Sequence, residues 1–139
     1  IYAPESIFEI GKGNLLREGQ DYLIVAAGQL VSEALEVAAS LEEKGISVDV
    51  IDMFTIKPLD KALLVERIVG KKAVVTIENH SITGGLGSAV AEVLADKGLA
   101  VPLTRIGVDE CFGQVGTPSF LQEEFGLTTE KILEQLKSL

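Results

Sequence analysis

The sequence predicts an α/β domain whose mostly parallel sheet is covered by helices on both faces. Three observations carry that expectation. Short apolar runs rich in valine and isoleucine recur along the chain, as strands buried on both sides require. Stretches with apolar residues at helical spacing separate them. Glycine, proline, threonine and aspartate stand at the junctions, where caps and turns need them.

Residues 21–27 (DYLIVAA) read as a short buried strand ending at Gly28. Val31, Ala34, Leu35, Ala38 and Leu41 then recur at helical spacing, with Ser32, Glu33, Glu36, Glu42 and Glu43 turned to water. Lys44 and Gly45 supply the stop: a cation against the terminal dipole, then a residue free of a Cβ. A second strand follows at residues 47–53. Pro58 keeps Lys57 out of the helical region, and Asp60 caps a helix running to about Val69. Residues 73–77 (AVVTI) form the third strand, residues 85–97 a helix stopped by Gly98, and residues 103–108 the fourth strand. Thr117 and Pro118 suit the cap and first position of a short helix closed by Gly126, and Thr128 caps the last helix. Between residues 7 and 17, Phe8 and Ile10 against Leu15 and Leu16 suggest an edge strand or hairpin.

Composition narrows the function classes. A chain of 139 residues suffices for one domain with a real core. Residues 1–139 read as a single unit, with residues 1–6 as the remnant of a linker, since the chain opens on Ile1 rather than Met. Twelve Lys and Arg against 21 Asp and Glu give a net charge of −9, which repels nucleic-acid phosphates and anionic membranes. The single cysteine, Cys111, cannot form an intrachain disulfide, and the apolar runs fall short of the ~20 residues of a bilayer span. A cytoplasmic protein that binds neither nucleic acid nor membrane is expected. A mean hydropathy of +0.33 with 47% apolar residues points to some surface being covered by a partner.

Right-handed crossovers favour a sheet in which the second strand flanks the first on one side and the third on the other. The switch point then lies between the first and third strands, bringing Gly28 and Gln29 beside Glu78, Asn79 and His80. The stretch TIENHSITGGLGSAVAEVL places the only histidine just before a glycine-rich helix start. Two readings compete there. Gly84, Gly85 and Gly87 can expose backbone amides along a helix dipole to a small anion, or they can let helix and sheet pack closely with Thr83 as the cap. The turn departs from a dinucleotide fingerprint, following the third strand with Ala89 or Val90 where a third glycine belongs, and it lacks a P-loop lysine. His80 beside Glu78 has the chemistry of a proton shuttle. Ser81, Ser88 and Cys111 complete no nucleophile signature with it, one His and one Cys supply too few metal ligands, and Cys111 suits a small hydrophobe. The pairs Glu42–Glu43 and Glu123–Glu124 read as solvated helix faces.

Three long stretches, FEIGKGNLLREGQDYLIVAAGQLVSEALEVAASLEEKGISVDVIDMFTIKPLD, VVTIENHSITGGLGSAVAEVLADKG and RIGVDECFGQVGTPSFLQEEFGLTTEKI, resemble the C-terminal domain of transketolase, and most closely the C-terminal subunit of split transketolases. The resemblance runs from about Phe8 to Leu136. Third domains of 1-deoxyxylulose-5-phosphate synthase and of 2-oxoacid dehydrogenase β subunits share the EGxD, IKPLD-like and GGxGS elements, while the tail from Phe112 to Thr128 favours transketolase. The resemblance implies a three-layer α/β/α domain with a five-stranded, mostly parallel sheet and an antiparallel N-terminal edge strand. It also implies a complete enzyme that moves a two-carbon ketol unit between sugar phosphates, binding thiamine diphosphate and Mg²⁺ between two other domains while the third domain completes the dimer. The implied partners are the remaining domains or an N-terminal subunit, and a homodimer mate. No Gly-Asp pair occurs in the chain, so the diphosphate motif of the family has no counterpart, and no catalytic, cofactor or metal residue is assigned. Gly28, Gln29, Glu78, Asn79, His80, Gly84, Gly85 and Gly87 remain as a candidate crevice or interface. The expected role is a non-catalytic domain supporting dimer assembly, against the sister enzymes or an autonomous anion-binding regulatory module.

Overall fold

The computed structural model describes residues 1–137. Its elements are β1 (Asn14–Arg17), β2 (Tyr22–Ala26), α1 (Val31–Glu42), β3 (Val48–Asp52), α2 (Lys61–Ile68), β4 (Ala73–Ser81), α3 (Leu86–Lys97), β5 (Leu103–Val108), α4 (Pro118–Glu124) and α5 (Thr129–Gln135), with a 3₁₀ turn at Gly28–Leu30 before α1. The sheet runs β1-β3-β2-β4-β5. Among the described residues only β1 is antiparallel to its neighbour; β3, β2, β4 and β5 pair in parallel. The five-stranded mixed sheet and its switch point between β2 and β4 match the sequence expectation.

Alternation along each strand divides the core. Ile24 and Ala26 of β2, Val48 and Val50 of β3, and Val75 and Ile77 of β4 face the layer holding α1 and α5. Leu23 and Val25, Ile51, and Val74 face the opposite layer of α2 and α3. Each fully buried Leu, Ile or Val contributes about 1.5–3 kcal/mol, so two such clusters supply the main cohesion.

The helix ends follow the local signals. Asp60 accepts from the Leu63 amide at 3.0 Å, Thr117 from Phe120 at 3.3 Å and Thr128 from Lys131 at 3.4 Å, the cap geometry these side chains favour. Gly98 ends α3 in the left-handed region, at φ 62°, where a Cβ would be strained.

Two strand expectations need correction. Phe8 and Ile10 do not join the edge strand, because Gly11 and Gly13 interrupt the run and β1 begins only at Asn14. Phe8 instead sits edge-on between Tyr2 and Phe54, with ring centres 4.7 and 5.0 Å away. Within residues 1–6, read as the remnant of a linker, Tyr2 packs on the sheet: its hydroxyl donates to Asp52 Oδ2 at 2.6 Å and accepts from Asn14 Nδ2 at 3.2 Å. Finally, β4 does not stop at Ile77. It continues through Glu78, Asn79 and His80 to pair Ser81 with Val108, across an irregular register. Gly107 makes this possible, since a Cβ there would lie 2.8 Å from the His80 carbonyl oxygen.

Tyr2→Phe keeps the ring stack and removes only the hydroxyl. It is expected to cost about 1 kcal/mol in urea unfolding, the usual net worth of one hydrogen bond. An unchanged midpoint would show that Asp52 does not depend on that donor.

Candidate functional site

The glycine-rich turn is the centre of the candidate region, and its geometry answers which groups its amides serve. Val74, Thr76 and Glu78 alternate onto the α3 side of β4, so the Glu78 side chain points inward and is 2% exposed. Its two carboxylate oxygens accept the Leu86 and Gly87 amides, each at 2.7 Å. A negative charge therefore sits on the positive pole of α3, held by two of the four amides that a helix start leaves unpaired. Gly85 precedes the helix without a side-chain cap of its own, and a Cβ there would run into the Glu78 carboxylate. At Gly87 a Cβ would stand 2.8 Å from Arg105 Cδ and 2.9 Å from Thr76 Oγ1. These two glycines give helix and strand the space to meet. Thr83 is not the cap: its own amide donates to Ser81 Oγ at 3.1 Å, and Glu78 takes the capping role from the strand. Gly84, at φ 84°, donates to Ser88 Oγ at 2.9 Å and so closes the turn.

The candidate residues do not converge on one site. Gln29 and Asn79 touch across the switch point, Asn79 Nδ2 donating to Gln29 Oε1 at 3.4 Å. They line a crevice of about 190 Å³ whose other walls are Val108, Pro118, Leu121 and Phe125. Gly28 begins the 3₁₀ turn that presents Gln29. Gly84 and Gly85 border a second concavity of about 560 Å³, formed with Lys57, Pro58, Lys61 and Glu92. Glu78 and Gly87 are buried. His80 is exposed, with Nδ1 3.2 Å from the Ser81 carbonyl oxygen, and no hydrogen bond joins it to Glu78. The proton-shuttle pair read from the sequence is thus divided, because Glu78 is committed to the helix. Cys111, expected to be a buried or half-buried hydrophobe, is exposed after β5.

Sequence reading passed over two aspartates inside β3. Asp49 is fully buried and accepts from Arg67 Nε and Nη2, each at 2.9 Å, from Lys71 Nζ at 3.0 Å and from the Gly19 amide at 2.6 Å. Burial alone would raise its carboxyl, but Arg67, the Gly19 amide and Lys71 together hold it below the usual carboxylate range. Asp52, at the other end of the strand, is pushed up by burial and only partly relieved by Tyr2, and its Oδ1 has no hydrogen-bond partner among the described residues. Burial and then the Asp52 contact push the Tyr2 hydroxyl up to about 12. The signal was available: two acids in VDVID break an otherwise apolar strand, and a buried acid demands partners.

The structure defines a doubly wound α/β/α domain with an antiparallel edge strand and a helix start filled by its own glutamate. The family described as "Transketolase, C-terminal domain" matches residues 11–132, and the chain belongs to it. A Methanocaldococcus jannaschii protein provisionally named a transketolase C-terminal section is 46% identical over 95% of this chain and 41% of its own length. The 6-deoxy-6-sulfo-D-fructose transketolase subunit SqwH of a Clostridium species is 47% identical over 91% of this chain and 39% of its own. A solved structure described as a split-gene transketolase, in an inactive β4 tetramer, superposes with a TM-score of 0.91 at 44% identity, over 99% of this chain and 45% of that one. 1-deoxy-D-xylulose-5-phosphate synthases are also among the relatives. The chain spans about two fifths of the transketolase relatives it matches.

Proposed function

We propose that this chain is the C-terminal section of a split transketolase and serves the enzyme in assembly rather than by carrying active-site groups. The complete enzyme, in this reading, transfers a two-carbon ketol unit between sugar phosphates in the cytoplasm, with thiamine diphosphate and Mg²⁺ held by its other sections. One observation carries the assembly role: the Leu86 and Gly87 amides, which in other α/β domains receive phosphate, already hold the Glu78 carboxylate. The residues present do not fit a diphosphate, since a second anion at that turn would meet a buried negative charge. Self-association of the chain is part of the proposal, supported by the tetramer formed by the related split-gene chain.

The test uses the full-length chain and the section that complements it. Neither alone is expected to turn over, while mixing them should give ketol transfer between a ketose phosphate and an aldose phosphate. Turnover by the chain alone overturns the assembly role. The synthases among the relatives favour a second reading, and formation of 1-deoxyxylulose 5-phosphate in place of ketol transfer would select it.

A further inference from the structure

Beyond β5 the chain changes character. Every residue from 109 to 120 is exposed, and α4 buries none of its residues. Phe112 and Val115 have the full exposure of free side chains, at 102% and 101%, and Phe120 is half-exposed. From Cys111 to Gln122 there is no charged residue, although acids stand at both ends, Asp109 and Glu110 before it and Glu123 and Glu124 after it. An exposed, charge-free run ending in large apolar side chains is the composition of an interface centre with a charged rim.

We propose that residues 111–120 form the surface through which one copy of this chain meets a second copy. The proposal rests on the self-association put forward above and names where it occurs. Charge decides between occupants. Two copies each carry −9, so their contact avoids like-charge repulsion only where neither brings an acid, and this run is such a place. A different, basic partner would instead be drawn to the acidic surface, and this run offers it no carboxylate. The position also suits a contact between copies, because the run follows β5, an edge strand of the sheet, and turns only Gly116 and Pro118 to the switch-point crevice among that crevice's lining residues.

Two variants of the full-length chain test the surface without touching the fold. Gly113→Glu adds a charge where a Cβ meets no atom within 4 Å, and Phe112→Ser with Val115→Ser removes side chains that lie in solvent. In sedimentation velocity over a concentration series, both are expected to raise the concentration at which copies dissociate by about tenfold or more, with an unchanged far-ultraviolet circular dichroism spectrum. Variants that associate like the parent overturn the assignment of this surface while leaving self-association in place. A parent chain that stays monomeric overturns the self-association reading and this surface with it. Variants that self-associate normally but no longer bind the complementing section assign the run to that partner, and the proposal falls.

Discussion

Glu78→Ala is expected to destabilise the chain by about 3 kcal/mol, because it removes a charged acceptor from two buried amides and leaves both without a partner. The Leu86 and Gly87 amides cannot turn to water, since both residues are buried in the first turn of α3. The substitution also withdraws a negative charge from the positive end of that helix, which adds to the loss. Glu78→Gln retains one oxygen acceptor and should lie between the alanine variant and the parent. Urea unfolding with a constant m-value is the measurement. A cost below about 1 kcal/mol for alanine would mean that the amides find other acceptors, and the turn would then be open to a bound anion after all.

Asp49→Asn should be at least as severe, costing about 3–5 kcal/mol, because removing one member of a buried ion pair strands its partners. Arg67 and Lys71 both converge on this carboxylate, and Arg67 does so with two parallel hydrogen bonds. The pH dependence has a definite sign. The folded carboxyl lies below the unfolded value of about 3.9, so its contribution is complete above that pH and is lost as the pH falls through the folded value. The parent chain is therefore expected to lose stability below about pH 4 more steeply than Asp49→Asn does. Equal acid slopes for the two would show that Asp49 is not the linked group. Asp52 works in the opposite direction: its raised carboxyl makes the folded chain bind a proton more readily, and acid relieves that burden.

Much of the architecture was legible in local chemistry. The Val- and Ile-rich runs announced every parallel strand, and Asp60, Thr117 and Thr128 announced three helix starts, because caps and alternation act over a few residues. Boundaries failed where distant residues decide them. Nothing near Asn79 or His80 tells that the strand continues there, because the pairing depends on the small residue at Gly107 in another strand. The residues read at the switch point do not form one cluster, since only the fold assigns Glu78 to the buried side and His80 to the surface. The same limit hid the ion network: the EGxD element looks like a plain turn, yet a Cβ on Gly19 would collide with the Val48 backbone, and its amide serves Asp49.

The uneven lengths of β2 and β4 carry a different consequence. β2 ends its pairing with β4 at Ile77, while β4 runs on to Ser81 supported by β5 alone, so the sheet has a step at its carboxyl end and the crevice beside Asn79 is the space left under the overhang. Gln29, presented by the 3₁₀ turn at Gly28–Leu30, faces Asn79 across that step, so the turn after β2 and the free end of β4 form the two sides of the crevice.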